Sequence, residues 1–191
     1  MVEIVVKVGG GLLAHAHHFD AVLETIGAAA RDRRLLVVPG GGPFADIVRD
    51  VDRRLPLSAT AAHWMAVLAM DQYAHVIAER LPNGRLVADR QAIETALDAR
   101  RVPVLAPFRW MREVDLLPHT WDVTSDSVAA WISGEVGARK LVLVKPPGAR
   151  ADGRSNGALV DGYFSRALPA SVTSVALTAD RTDELRTELF G

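Results

Sequence analysis

The chain has 191 residues, of which 49% are hydrophobic and 24% charged, with a net charge of −1 and no cysteine. This composition predicts one globular domain, or one domain with two lobes, and excludes a disordered chain. It also excludes disulfides, thiolate catalysis and thiolate-bound metals, and the small net charge gives no reason to expect nucleic acid or an anionic membrane as a partner. No apolar run approaches the ~20 residues that span a bilayer, and no secretory signal is visible, so we expect a cytoplasmic protein.

Short apolar runs alternate with longer segments of helical pattern along the chain. The predicted strands are residues 4–8, 35–38, 86–88, 102–106, 141–144 and 172–177. The predicted helices are residues 19–31, 44–55, 59–81, 92–101 and 125–134. Pro103 favours an edge strand or an irregular strand start. The alternation predicts an α/β fold, with a mostly parallel central sheet sandwiched by helices.

In two segments the apolar residues follow neither a helical nor a strand period, and both segments are predicted to be long loops. Residues 107–122 contain two prolines and two tryptophans, and residues 145–157 include Pro146 and Pro147. Loops of this length are uncommon in compact domains unless they are functional or disordered. We therefore expect the segment 107–122 to contribute to function.

Glycine triplets follow the first two predicted strands, at residues 9–11 and 40–42. Glycine lets backbone N–H groups approach an anion closely, and a following helix adds its positive end. A single glycine triplet could also form a tight turn that binds no ligand. Because the carboxyl ends of parallel strands share one edge of a sheet, both loops and Lys145 should lie together. Two such loops, one preceded by Lys7, predict a site for a ligand with several phosphates.

The segment around Asp126 allows two interpretations. Thr124 or Ser125 suits the N-cap of the following helix, and Asp126 suits its first turn. The same helix start could instead offer hydroxyl and N–H donors to a phosphate, while Asp126 orients a lysine or a metal. Lys7 and Lys145 could likewise contact phosphate oxygens or remain solvated. The composition of the segment does not choose between these interpretations.

Several common motifs are absent from the sequence. It contains neither a Walker A loop nor the glycine fingerprint of dinucleotide-binding proteins. His15, His17 and His18 form a cluster, but residues at i and i+2 do not share a helical face. We therefore predict no protein-held metal site. Trp64, Met65 and Met70 are interpreted as core residues of a long helix.

The order and spacing of these motifs resemble the amino acid kinase superfamily. The similar segments are residues 6–10, 39–45, 124–130 and 141–148, and the resemblance extends from residue 2 to about residue 165. Residues 124–130 are most similar to uridylate kinases. Within the segment 63–73, residues 63–66 and 69–73, together with residues 117–126, resemble one branch, the kinases of [5-(aminomethyl)furan-3-yl]methyl phosphate in methanofuran biosynthesis and their bacterial relatives.

This resemblance implies a reaction and an organisation. ATP would donate its γ-phosphoryl group to a phosphomonoester, giving a diphosphate, with Mg²⁺ held chiefly by ATP oxygens. The domain 1–191 would comprise an acceptor lobe at about 1–120 and a nucleotide lobe at about 121–191, and the protein would form a homo-oligomer. The chain is shorter than most superfamily members in its C-terminal half, and Lys145-Pro146 replaces the usual Thr/Ser-Asp. The residues by which the family binds adenine are therefore not assigned in this sequence.

The resemblance also implies roles for individual residues. Lys7 and Lys145 would neutralise charge on the transferred group, and Asp126 would hold a lysine in place. No general base is required, because the acceptor is already an anionic phosphate oxygen. The residues assigned to phosphate and nucleotide binding are Gly9, Gly10, Gly40, Gly41, Gly42, Thr124, Ser125, Lys145 and Gly148.

The acceptor implied by this branch carries an amine that is cationic at pH 7. Such a group favours a carboxylate partner, and aromatic faces can also hold it. The candidates in or near the branch-specific segments are Asp71, Trp110, Asp115, Trp121 and Asp122. The alternatives are a kinase for another small phosphomonoester, such as an isoprenoid phosphate or a nucleotide, and a non-catalytic protein of the same fold that binds nucleotides or oxyanions.

Overall fold

The computed structural model describes residues 1–149 and 159–191. The strands in this part of the chain are β1 (Ile4–Val8), β2 (Leu35–Pro39), β3 (Gly84–Val87), β4 (Val102–Leu105), β5 (Lys140–Lys145) and β6 (Thr173–Thr178). The helices are α1 (Ala16–Ala29), α2 (Gly42–Arg54), α3 (Ala59–Arg80), α4 (Arg90–Asp98), α5 (Phe108–Val114), α6 (Ser125–Glu135), α7 (Phe164–Ala167) and α8 (Thr182–Phe190). A short 3-10 helix, Gly10–Ala14, follows β1.

The described strands form one parallel sheet in the order β3-β4-β2-β1-β5-β6. Alternate residues of each central strand face opposite sides, so Val5 packs in one hydrophobic core and Val6 in the other. The core containing Val5 is completed by α4, α5 and α6, and the core containing Val6 by α1 and α8, while α3 contributes to both. The predicted α/β fold, a parallel sheet between two helical layers, is confirmed.

Four details differ from the sequence-based expectations. Residues 107–122 are not a continuous loop, because α5 forms there with Trp110 and Met111 buried. Strand β4 lies inside the sheet rather than at its edge, but its pairing with β2 is limited to the register pair Val37↔Val104. Helix α8 was not predicted. Of the predicted loop 145–157, Lys145 is the last residue of β5, and residues 150–157 lie outside the described residues.

The strand register places two lysines on one face of the sheet. Lys7 of β1 pairs in register with Leu143 of β5, and Lys145 follows two positions later. Because side chains alternate along a strand, Lys7 and Lys145 share the face of Val5 and Leu143, which α6 covers. Both lysines therefore lie at the carboxyl edge of the sheet, beneath the first turn of α6. Within the described residues, no helix combines the length and apolar character needed to cross a membrane.

Candidate active site

A buried carboxylate between two lysines forms the centre of the candidate site. Asp126 Oδ1 lies 2.8 Å from Lys7 Nζ, at angles that do not suit a hydrogen bond, and Lys145 Nζ donates to Asp126 Oδ2 at 2.5 Å. The side chains of Lys7, Asp126 and Lys145 are 5%, 5% and 13% exposed. The three come from β1, α6 and β5, so the fold brings them together. Two cations share one anion, which leaves the cluster with an excess positive charge.

Burial and mutual attraction set the protonation of this cluster. Burial alone would raise the pKa of Asp126, but Lys7 and Lys145 outweigh that effect and hold its pKa below the usual range. Burial, together with repulsion from Lys7, lowers the pKa of Lys145 to about 8, although Asp126 opposes this. At neutral pH the carboxylate is therefore ionised, and Lys145 is close enough to its pKa to respond to small changes in its surroundings.

The two glycine loops pack directly against each other beside this cluster. A Cβ on Gly40 would lie 2.5 Å from Gly10 N, and a Cβ on Gly10 would overlap the backbone of Gly42. Gly42 has φ +58°, a left-handed conformation that favours glycine. A Cβ on Gly9 would lie 2.6 Å from Val144 O. Glycine is thus required for loop packing, in addition to any role toward a phosphate.

A cavity of about 560 Å³ opens above these loops and lysines. Its lining includes Gly10, Gly41, Gly42 and Ser125 together with the lysine–aspartate cluster. Residues of α3 and α6 supply an apolar wall, namely Ala62, Ala66, Val67, Met70 and Val128. Helix α2 runs along the cavity from Gly42 to Asp52, a distance of ~15 Å at 1.5 Å per residue. The cavity volume lies in the range of small-molecule sites.

A polar group from α2 and the segment before α6 lines another part of the cavity. Arg49 Nη1 donates to Asp46 Oδ1 at 2.8 Å, and its guanidinium lies 5.2 Å from the centre of the Trp121 ring. Asp52 accepts hydrogen bonds from Trp121 Nε1 at 2.9 Å and from Leu57 N at 3.0 Å. The bond from Trp121, and then that from Leu57, holds the pKa of Asp52 below its usual range. The negative charge of Asp52 is therefore stabilised by two neutral hydrogen-bond donors. No cation among the described residues pairs with this carboxylate.

His63 also lines the cavity, and burial keeps it neutral. Burial, with a smaller contribution from His119, lowers the pKa of His63 to about 4. The His119 ring stacks on His63 at 4.3 Å, and its nitrogens lie 2.8 Å from Asp115 Oδ1 and 3.0 Å from Thr60 Oγ1. Within the described part of the chain, His63 itself makes no such hydrogen bond. Its neutral ring can therefore donate to, or accept from, a bound molecule.

The start of α6 is held by a carboxylate that sequence reasoning missed. Asp161 accepts hydrogen bonds from Thr124 N at 2.9 Å, Thr124 Oγ1 at 2.6 Å and Ser127 N at 3.0 Å, and also from Ser127 Oγ. The donors of Thr124, which we expected to bind a phosphate, are thus already engaged. Ser125 lies on the cavity wall. The helix capping expected of Thr124 is present, with its hydroxyl accepting from Asp126 N at 3.5 Å.

Of the residues proposed for the substrate amine, the cavity lining includes Trp121 alone. Asp71 accepts from Phe108 N at 3.0 Å and so caps α5, while Trp110 packs in the core against Trp131. Asp115 is bound to His119, and Asp122 is exposed and does not line the cavity. The cavity lining therefore does not support a contact of Asp71, Trp110, Asp115 or Asp122 with a molecule bound there, and the first three have partners elsewhere in the fold.

The remaining expected residues are placed as follows. Gly9 and Gly40 lie behind the cavity wall, where they support the packed loops. Gly148 lies in the turn after β5 with φ +70° and does not line the cavity. His18 has its ring 6.4 Å from that of His15 and 5.8 Å from that of His17. Within residues 1–149 and 159–191, no three His, Cys, Asp or Glu side chains are grouped to hold a metal ion.

Four residues of the site escaped sequence reasoning, namely Arg49, Asp52, His63 and Asp161. Arg49 and Asp52 lie in a charged helical segment that is indistinguishable from a solvated helix face. Asp161 is separated by 34 residues or more from the groups of α6 and its N-cap that it binds, so no local pattern marks it. His63 is the exception, because it lies in the segment 63–73 that carries the branch resemblance.

Comparisons with known proteins identify the family of this chain. The model of the amino acid kinase family matches residues 3–146. A [5-(aminomethyl)furan-3-yl]methyl phosphate kinase of Methanocaldococcus jannaschii is 28% identical over 145 residues, which are 73% of this chain and 63% of the relative. The chain therefore spans less than two thirds of that relative's length.

Solved structures of uridylate kinases share the fold. The enzyme of Archaeoglobus fulgidus aligns with a TM-score of 0.70 and 16% identity over 98% of this chain and 97% of its own. The UMP kinase of Ureaplasma parvum aligns with a TM-score of 0.70 and 15% identity, over 96% and 92% of the two chains. That of Bacillus anthracis has a TM-score of 0.67 and 13% identity, over 96% and 90%. At these identities the likeness supports the fold alone.

Proposed function

Because the chain belongs to the amino acid kinase family, we propose that it transfers the γ-phosphoryl group of ATP to the phosphate of a small phosphomonoester. The observation that carries this proposal is the buried cluster in which Lys7 and Lys145 share Asp126. Its excess positive charge lies beside two packed glycine loops at the wall of a cavity. Such a cluster suits the meeting of two phosphate groups, because fixed cations offset their mutual repulsion.

The reaction requires positioning and charge neutralisation more than covalent chemistry by the protein. An oxygen of the acceptor phosphate forms a bond to the γ-phosphorus of ATP. The bond from that phosphorus to the β,γ-bridging oxygen breaks, and ADP leaves with the electron pair. The product is a diphosphate, and no proton is moved. Lys7 and Lys145 bind oxygens of the transferred group, while Asp126 fixes both ammonium groups.

Magnesium fits this site chiefly as a partner of ATP. Asp126 is occupied by two lysines and is not free to ligate a cation. When bound, Mg²⁺ would neutralise further charge on the ATP oxygens, with few protein ligands. The residues of this chain then act as fixed cations and N–H donors around the phosphates.

We place the acceptor in the cavity between α2, α3 and α6, and the nucleotide toward β5 and β6. The lining of the cavity comes mainly from the first 130 residues, in keeping with an acceptor lobe at about 1–120. Lys145 and Asp126 both belong to the nucleotide lobe at about 121–191, and Lys7 reaches Asp126 from the acceptor lobe. The reacting groups would then meet where the two lobes join.

The acceptor that these features support best is [5-(aminomethyl)furan-3-yl]methyl phosphate or a close analogue. The name of the archaeal relative supports this proposal. The cavity also offers a negative charge without a cationic partner among the described residues, Asp52, and the aromatic ring of Trp121 beside it. His63 adds a neutral hydrogen-bonding group. We assign Asp52, in place of Asp71, Asp115 and Asp122, to the cationic amine.

An isoprenoid phosphate is the second candidate acceptor. It is favoured by the apolar wall of Ala62, Val67, Met70 and Val128. Hydrocarbon placed against Asp52 and Arg49 would, however, remove their charges from water without compensation, which is costly.

The test is transfer of label from ATP to a panel of phosphomonoesters and free alcohols. The panel includes the aminomethyl-furan phosphate, its desamino analogue and an isoprenoid phosphate. Each is assayed with the wild type, Asp52→Asn and the control Asp122→Asn, whose side chain is exposed outside the cavity. We expect Asp52→Asn to lower kcat/KM for the amine with little effect on the analogue, and Asp122→Asn to leave both unchanged.

The outcomes separate two levels of the proposal. Preference for the isoprenoid phosphate, or equal effects of Asp52→Asn on amine and analogue, would overturn the acceptor assignment and leave the kinase proposal standing. Absence of transfer to every phosphomonoester, with ATP binding intact, would support a non-catalytic binding protein instead.

A further inference from the structure

Asp161 is the most highly connected carboxylate near the candidate site, and the proposed chemistry does not use it. It accepts from the backbone N–H groups of Thr124, Ser127 and Tyr163 and from the hydroxyls of Thr124 and Ser127. The segment containing Asp161 lies in the C-terminal part of the chain, while α6 precedes β5. This carboxylate therefore ties two distant segments together at the first turn of α6.

This arrangement differs from ordinary capping of a helix. An N-cap side chain normally accepts from the N–H groups two or three positions later. Thr124 does so over 3.5 Å to Asp126 N, which is a long bond. The carboxylate of Asp161 accepts from the N–H groups of Thr124 and Ser127 instead, and negative charge at a helix N-terminus is stabilising. The orientation of the first turn of α6 is thus set from outside the helix.

Asp126 lies within this first turn, directly between residues that Asp161 holds. Thr124 and Ser127 bracket Ser125 and Asp126, so fixing both ends leaves the turn little freedom. The Asp126 carboxylate must in turn meet Lys7 from β1 and Lys145 from β5. A small rotation of the turn would break one of these two contacts.

We propose that Asp161 is a positioning residue of the phosphoryl-transfer centre, which fixes the first turn of α6 and thereby holds the Asp126 carboxylate between Lys7 and Lys145. The inference rests on the proposed kinase function. It assigns Asp161 no contact with either substrate. It predicts that loss of Asp161 weakens turnover through the lysines rather than through binding of the acceptor.

The charge of Asp161 gives this role a signature that a purely structural cap lacks. Among the residues that the structure describes, the charged groups that face Lys145 are Lys7 on β1, Asp126 on α6 and Asp161. Burial and Lys7 lower the pKa of Lys145, whereas Asp126 and Asp161 raise it. Removal of the negative charge at 161 should therefore let the pKa of Lys145 fall below its value of about 8.

The experiment measures the titration of Lys145 without any substrate. The chain has three lysines, Lys7, Lys140 and Lys145, so competitive acetylation followed by mass spectrometry can report on each as pH is varied. Lys140, which pairs with Glu188 at 3.1 Å, serves as an internal reference. For Asp161→Asn we expect the midpoint of Lys145 labelling to shift downward by roughly 0.5–1 pH unit. Hydrogen exchange of the amides at 124–128 should be faster than in the wild type.

A matched control is available in another helix. Asp89 caps α4 by accepting from Ala92 N at 2.8 Å, away from the cavity. The variant Asp89→Asn removes a capping charge of the same type and should leave the Lys145 midpoint unchanged. Asp161→Glu retains the charge and should restore the midpoint in part. In the transfer assay, we expect Asp161→Asn to lower kcat roughly 10- to 100-fold with little change in KM for the acceptor.

A folded Asp161→Asn variant with an unchanged Lys145 midpoint and wild-type exchange at 124–128 would overturn the proposal. If Asp161→Asn does not fold, the variant Ser127→Ala tests the proposal instead, because it removes the hydrogen bond from the Ser127 hydroxyl and keeps the Asp161 carboxylate. Faster exchange at 124–128 with a lower kcat would support the proposal, and wild-type values of both would overturn it. Since labelling needs no substrate, a wild type that transfers no phosphate contradicts the proposed function without affecting this readout.

Discussion

Lys7 Nζ and Asp126 Oδ1 lie 2.8 Å apart in an ion pair that is almost completely withdrawn from solvent. The other carboxylate oxygen of Asp126 is taken by Lys145. Removing one lysine therefore leaves a neutral pair, whereas removing the aspartate leaves two buried cations without compensation. Replacing Asp126 should therefore reduce stability more than replacing either lysine.

Lys7→Met should reduce turnover much more than stability. One fixed cation near the transferred group is worth ~10²–10³ in kcat by analogy with oxyanion-hole donors. Asp126 keeps Lys145 as a partner, so the fold should persist. The check is kcat of Lys7→Met against Lys140→Met, in which the lysine at the far end of β5 is replaced. Comparable turnover in the two variants would remove Lys7 from the mechanism.

Asp126→Asn should be the most destabilising change in the cluster. Breaking a buried ion pair by removing one partner costs roughly 3–5 kcal/mol when the other charge stays buried. Asn can still occupy the first turn of α6, so a capping role alone would predict a small effect. Urea denaturation at neutral pH should give a clearly lower free energy of unfolding for Asp126→Asn than for Lys7→Met. The reverse order would show that the two lysines do not depend on Asp126 for charge compensation.

Activity should decline as pH rises above about 8. Lys145 has its pKa lowered to about 8 by burial and by Lys7, and the protonated form is the one that neutralises phosphate. Because kcat/KM reports the free enzyme, its alkaline limb should follow this pKa. Removal of the neighbouring charge in Lys7→Met should raise the pKa of Lys145 and move the limb of the residual activity to higher pH. A flat profile between pH 7 and pH 10 would exclude Lys145 as a required cation.

His63 should make stability depend on pH between about 6.5 and 4. Burial and His119 lower its pKa in the folded state to about 4, while an unfolded histidine titrates near 6.5. The unfolded chain therefore binds more protons in this window, and stability present above pH 6.5 is lost as pH falls toward 4. We expect a loss of about 1–3 kcal/mol, reduced by solvent near the ring. The check is the free energy of unfolding of the wild type and of His63→Gln, measured by denaturation at pH 7 and pH 4.5. If both proteins lose the same stability between these pH values, His63 is not the cause of the loss.

Gly10→Ala should disrupt the packing of the two glycine loops. The added Cβ would overlap the N and Cα atoms of Gly42. These are backbone atoms, which cannot move aside as the end of a flexible side chain could. The matched control is Gly137→Ala, where φ is +66° but nothing lies within 4 Å of the added atom. Gly137→Ala should cost roughly 1–2 kcal/mol from the left-handed conformation alone, with ATP binding retained. Gly10→Ala should lose more stability and also ATP binding; tolerance equal to that of Gly137→Ala would mean that the two loops are not in close contact.

The sequence by itself determined the sheet, its helical layers and the meeting of Lys7, Asp126 and Lys145. Apolar strands that alternate with amphipathic helices leave few arrangements besides a parallel sheet covered on both faces. Lys7 and Lys145 each end or nearly end such a strand, so topology alone brought them to one edge. The period of two along β1 and β5 then placed both on the face of α6, where Asp126 was expected to hold a lysine.

Only the tertiary structure decided which side chains line the cavity. Asp71, Asp115 and Asp122 carry the same charge as Asp52, and the sequence does not show which face of the fold each one meets. Asp71 caps α5, Asp115 binds His119, and Asp52 remains beside Trp121 because α2 runs along the cavity. Asp161 was hidden for a related reason, since its partners are distant in the chain. Local patterns specify helices and strands through near neighbours, whereas the partner of a polar side chain depends on how those elements pack.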